Sequence, residues 1–96
     1  MKMLMVICPE TRAEDIRTLI SGHDVHAYTE LQDVTGSGAK GLKLGTRTWP
    51  GRSILVFTVV PEEKTKQLLQ ALEECKQTLL PEESMHAFVM PVEHAL

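Results

Sequence analysis

A chain that can supply only two helices cannot cover both faces of a sheet whose strands are apolar on both sides. Ser53–Val60 (SILVFTVV) is such a strand: Ile54, Val56 and Thr58 point one way, and Leu55, Phe57 and Val59 the other. Met3–Cys8 (MLMVIC) is apolar throughout and reads as a second buried strand. Ninety-six residues can bury roughly 65% of the surface of the unfolded chain, enough for one modest core. Residues 1–96 are therefore read as a single domain.

The elements between and around these strands follow from local signals. Thr11-Arg12-Ala13-Glu14 has the spacing of a capping box. Ala13, Ile16, Leu19 and Ile20 then recur at helical intervals, and Gly22 stands where a left-handed C-terminal cap is usual. Val25–Val34 alternates with period two and reads as a half-buried strand. Pro61 and Glu62 open a second helix with Leu68, Leu69, Leu72, Cys75 and Leu79 as its inner stripe, ended by Pro81. His86–Met90 (HAFVM) is a fourth strand, ended by Pro91. The order β-α-β-β-α-β predicts an α+β fold, the ferredoxin-like sandwich: an antiparallel four-stranded sheet with two helices on one face. The other face would expose more apolar surface than soluble monomers usually tolerate, so the mismatch predicts self-association.

Thr35–Arg52 (TGSGAKGLKLGTRTWPGR) is compositionally distinct. It holds five of the six glycines, four of the ten basic residues and no acidic one. Connections longer than ~12 residues without structure of their own are often functional. Lys40, Lys43, Arg47 and Arg52 give this one positive charge, and Trp49 gives it a ring for docking.

Composition excludes several other functions. The net charge is −3, the pI is about 5.8, and the basic residues are scattered, which argues against nucleic-acid binding. The apolar runs fall far short of the ~20 residues that span a bilayer. No small-residue cleavage site follows the N-terminal stretch, so a cytoplasmic location is expected, with Cys8 and Cys75 reduced. No serine or cysteine has a motif-level base beside it, and the adjacent pairs Glu62-Glu63, Glu73-Glu74 and Glu82-Glu83 read as solvated helix ends, so no enzyme is expected. Met1, Met3 and Met5 share one strand face and are read as core fillers. His23, His26, His86 and His94 form no ligand motif, although with Cys8 they keep open an alternative, a metal-binding or metal-responsive oligomer, which the resemblance described next would make a trimer linked to heavy-metal homeostasis.

Three segments in this order resemble the PII family of nitrogen-regulatory signal-transduction proteins. Val34-Thr35-Gly36-Ser37-Gly38 with Lys40-Gly41 looks like the glycine turn that ends strand two and begins the family's long T-loop. Ile54–Glu62 (ILVFTVVPE) is similar to its strand three and the Val-Val-Pro-acid junction, and Ala87–Glu93 (AFVMPVE) to its closing strand. The resemblance implies a homotrimer with clefts between subunits that take a small anionic effector, an adenine nucleotide among the candidates. It also implies a T-loop, about 36–52 here, that controls a target protein such as a transporter or an enzyme, nitrogen regulation being one setting. The glycine turn with Lys40-Gly41 makes Gly36, Ser37, Gly38, Lys40 and Gly41 candidate ligand-binding residues, and the charge of Arg47 and the ring of Trp49 add these two. The pattern departs at Leu80–Met85, where the family's phosphate-binding glycine turn is replaced by a segment with no glycine and two carboxylates. The loop is also about half the usual length, and the basic residue after the G-x-G turn is Ala39.

Overall fold

The computed structural model describes residues 1–36 and 52–96. In chain order the elements are β1 (Lys2–Pro9), a 3-10 turn (Glu10–Arg12), α1 (Ala13–Gly22), β2 (Thr29–Val34), β3 (Ser53–Val60), α2 (Glu62–Lys76) and β4 (His86–Pro91). The strands form one antiparallel sheet in the order β2-β3-β1-β4. The expected βαββαβ sandwich is thus the observed fold. The two strands that are apolar on both faces, β1 and β3, are the two interior strands of the sheet.

One core lies between the sheet and the helices. Leu4, Val6 and Cys8 of β1 and Ile54, Val56 and Val60 of β3 pack against Ile16 and Ile20 of α1 and Leu68 and Leu72 of α2. Met85, just ahead of β4, completes it. The alternate residues face outward. Register places Thr29, Phe57, Met5 and Phe88 in one row across the four strands, and Leu31, Leu55, Ile7 and His86 in the next. Phe88 is 51% exposed and Leu31 49%, and Val59 and Met90 are exposed as well.

Several local expectations are corrected. Thr11 does not cap α1. The chain first makes the 3-10 turn, Arg12 precedes the helix with no side-chain cap, and the Thr11 hydroxyl donates to Glu83 at 2.8 Å. Gly22 ends α1 but does not supply the left-handed residue; that is Asp24, at φ 63°, a short polar side chain that tolerates this region. β2 begins at Thr29 and not at Val25, because Val25 spends its N–H on the Ile20 carbonyl at the end of α1. On α2, Thr65 is buried while Leu69 is exposed. Thr65 stands three residues before Leu68, and Leu69 falls off that stripe. Met3 and Met5 are half-buried on the outward sheet face and Met1 is exposed, so this methionine row is not part of the core beneath the helices.

Candidate functional site

Antiparallel pairing gathers the chain's long connections at one end of the sheet. Val34, the last residue of β2, pairs with Ser53, the first of β3; Ser53 also pairs with Pro9, the last of β1; and Ile7 pairs with His86, the first of β4. The connection from β2 to β3, the 3-10 turn and the turn from α2 to β4 therefore meet at this end.

The base of the β2–β3 connection is fixed by charge and backbone. Arg52 Nη1 lies 3.0 Å from Asp33 Oδ1, and the Arg52 carbonyl accepts from the Glu10 N–H at 2.9 Å. Asp33 has φ 57°, within the register shift between Leu31 and Val34. A bulge of this kind bends a strand and re-aims the chain beyond it. Of the sequence-predicted binding residues, Gly36 is described: a Cβ there would meet nothing within 4 Å, so packing does not demand the glycine. Ser37, Gly38, Lys40, Gly41, Arg47 and Trp49 lie outside the described residues.

The α2–β4 turn carries a residue that sequence reasoning took for a solvated helix end. Glu83 Oε1 accepts from Arg12 Nε at 3.0 Å and from the Leu80 N–H at 2.9 Å, with Arg12 Nη2 3.0 Å away as an ion-pair partner; Oε2 accepts from the Thr11 hydroxyl. Arg12 Nη2 also donates to the Thr78 carbonyl at 3.0 Å. The Leu80 N–H, with Arg12 and Thr11, holds the Glu83 carboxyl down at about 2, against an ordinary value of 4.5. The carboxylate takes up the Leu80 N–H of its own turn and ties the turn to the start of α1. A glutamate three residues after a free turn N–H was the available signal, and Arg12, 71 residues away, was not.

This clamp has a pH signature. A carboxyl whose pKa is lowered on folding stabilises the fold in full above its unfolded value and loses that contribution as pH falls towards its folded value. Glu83→Gln is expected to melt below the parent at pH 7, and the gap is expected to close between about pH 4.5 and pH 2. Thermal melts across that range check it; a gap that ignores pH would contradict the clamp.

Other polar groups are structural. Arg17 makes a bidentate pair with Glu30, Nε to Oε1 at 2.9 Å and Nη2 to Oε2 at 2.7 Å, fastening α1 to the edge strand β2. That pairing, led by the Arg17 hydrogen bonds, lowers the Glu30 pKa. Burial, with a smaller effect of Cys75, pushes the Cys8 thiol up to about 12. Iodoacetamide at pH 8 is accordingly expected to leave Cys8 untouched in the folded chain and to modify it after unfolding, as peptide mass mapping would read; rapid native labelling would contradict the burial. Among the described residues, no group of three or more His, Cys, Asp or Glu could hold a metal ion, so nothing in the geometry favours the metal-binding alternative. A groove lined by His23, Gln67, Gln70, Ala71 and Glu74 runs along α2, away from the end where the connections meet. No helix among the described residues is long and apolar enough to cross a membrane.

The family model for Nitrogen regulatory protein P-II matches residues 1–96. The chain belongs to this family. Among solved structures it is similar to CPII, a nitrogen regulatory PII-like protein from Thiomonas intermedia K12, bound to ADP, AMP and bicarbonate. That likeness has 24% identity and a TM-score of 0.73, covering 93% of this chain and 88% of that one. CPII bound to ADP, AMP and acetate gives 21% identity and 0.71, covering 93% and 82%. A PII-like signalling protein from Thermus thermophilus gives 23% and 0.67, covering 92% and 82%. At these identities the likeness speaks for the fold. No curated protein matches the chain. In this P-II chain the glycine-free segment Leu80–Met85 holds the Glu83 carboxylate on the Leu80 N–H, Thr11 and Arg12.

Proposed function

We propose that this P-II chain is a non-enzymatic regulatory protein that works as a homotrimer. The outward sheet face closes the trimer, and a small anionic effector binds between subunits at the sheet end where the 36–52 connection meets the α2–β4 turn. An adenine nucleotide is the first candidate effector, and the connection presents or withholds a surface for a target protein. The observation that carries this reading is the convergence of the basic, glycine-rich connection and the α2–β4 turn on one end of the sheet, at Arg52, Glu10 and Glu83. CPII, of the same fold, has been solved with ADP and AMP.

The chemistry narrows the contacts. The Glu83 carboxylate takes up the Leu80 N–H and the Arg12 guanidinium, so positive charge for an anion is assigned to the connection, with Lys40 and Arg47 as the candidates. Gly36 and Gly38 would let backbone approach a ligand, and Trp49 would offer a ring to ligand or partner. A ligand switches the connection only if it touches its two states differently.

A thermal-shift series with ATP, ADP, AMP, bicarbonate and 2-oxoglutarate is expected to give a concentration-dependent rise for at least one adenine nucleotide. Arg47→Ala is expected to weaken that ligand roughly tenfold or more, the worth of a charge-assisted hydrogen bond, without changing the assembly. Calorimetry checks this. No shift with any of these anions would contradict the effector reading, and unchanged affinity would remove Arg47 from the site.

A further inference from the structure

The outward face of the sheet is built of apolar and small hydroxyl side chains, with one titratable exception. Of its residues on the strands, Thr29 and Leu31 come from β2, Ser53, Leu55, Phe57 and Val59 from β3, Met3, Met5 and Ile7 from β1, and Phe88 and Met90 from β4. The exception is His86. It pairs across the sheet with Ile7, and its ring stacks on Phe88 at 6.5 Å and 18°. Both rings are exposed. Two strands of eight residues and two of six, ~4.8 Å apart with a rise of ~3.3 Å per residue, give this face roughly 440 Å2 in plan. That is about half of the ~800 Å2 per partner of a standard interface, and in the range of exposed patches that mark interaction sites.

A second copy of this chain is the occupant that this surface fits. An identical face brings no carboxylate or ammonium against it, whereas a charged partner would find nothing to pair with. We infer that self-association through this face is proton-linked through His86, so that acid loosens the assembly. This rests on the trimer reading and adds a control to it. Histidine is the side chain whose ordinary titration falls between pH 5 and 8. An imidazolium packed against Ile7, Phe88 and a neighbouring copy would lose its water without gaining a counter-charge. Among the described residues, the charged groups at this end of the sheet are accounted for. Glu10 lies in the 3-10 turn and Glu82 in the turn before β4, both exposed; Glu83 is taken by Arg12 and Thr11; Asp33 and Arg52 pair with each other; and β3 offers no titratable group outward. The α-amino group of Met1 lies at the other end of β1, about 20 Å from Ile7 at strand rise.

Sedimentation equilibrium at pH 8.0 and pH 5.5, at constant ionic strength, tests this on wild type, His86→Gln and His86→Phe. Wild type is expected to dissociate more readily at pH 5.5, by roughly tenfold for each histidine that must shed its proton on burial. Both variants are expected to assemble at pH 5.5 as they do at pH 8.0. An oligomer whose dissociation constant is the same at both pH values, or variants that keep the full pH dependence, would overturn the proton linkage and leave the trimer standing. A wild-type chain that is monomeric at pH 8.0 would overturn the trimer reading and the linkage with it.

Discussion

Phe88→Glu is expected to give a folded monomer. Phe88 is half exposed on the outward sheet face, in one row with Met5, Phe57 and Thr29, so the isolated subunit loses little when its ring is removed. In the proposed trimer the same position would be buried against another copy. A glutamate there brings a charge with no partner, and symmetry repeats it in every subunit. An uncompensated buried charge costs several kcal/mol, which translates to a loss of association of at least roughly a hundredfold. Circular dichroism would show the retained fold and light scattering the mass of one chain. An oligomer of unchanged affinity would place the interface on another surface.

Leu68→Ala is expected to remove a large part of the stability of the subunit. Leu68 is fully buried, packed in one cluster with Leu4, Val6, Ile16, Ile20, Ile54 and Val56. Truncating a buried leucine costs about 2–5 kcal/mol, because the neighbours close the void only in part. Domains of this kind hold about 5–15 kcal/mol in all. Leu69, one residue on and exposed, is the control: Leu69→Ala is expected to cost under about 1 kcal/mol. Urea unfolding of both variants in the monomeric Phe88→Glu background keeps assembly out of the comparison. Equal costs at the two positions would contradict the described orientation of α2.

Burial pattern made most of the fold legible. β3 occupies the residues that its alternation marked, Ser53–Val60, and the two strands that are apolar on both faces are the interior strands. The element order and the P-II family were also readable, since three segments lay in register along the whole chain. Local hydrogen-bond signals were less reliable. The Thr11–Glu14 spacing satisfies a capping box, yet Thr11 is drawn to Glu83 and Glu14 to Arg17, at 3.2 Å. Val25 alternates with Ala27 and Thr29, yet its N–H closes α1 and the strand starts four residues later. Glu83 was hidden for the same reason: its partners Thr11 and Arg12 are distant in sequence, and tertiary contact outweighed the solvated state that an adjacent Glu pair suggests. At the candidate site, the base of the connection and the α2–β4 turn follow from strand order, whereas the pairing of Asp33 with Arg52 depends on a bulge that no residue pattern announced.

Everything proposed for effector binding needs clefts between copies, so the mass of the wild-type particle is the most direct test. Light scattering on an eluting peak at micromolar concentration and pH 8 is expected to give three times the 10.7 kDa of one chain. A particle with the mass of a single chain under those conditions would contradict the account.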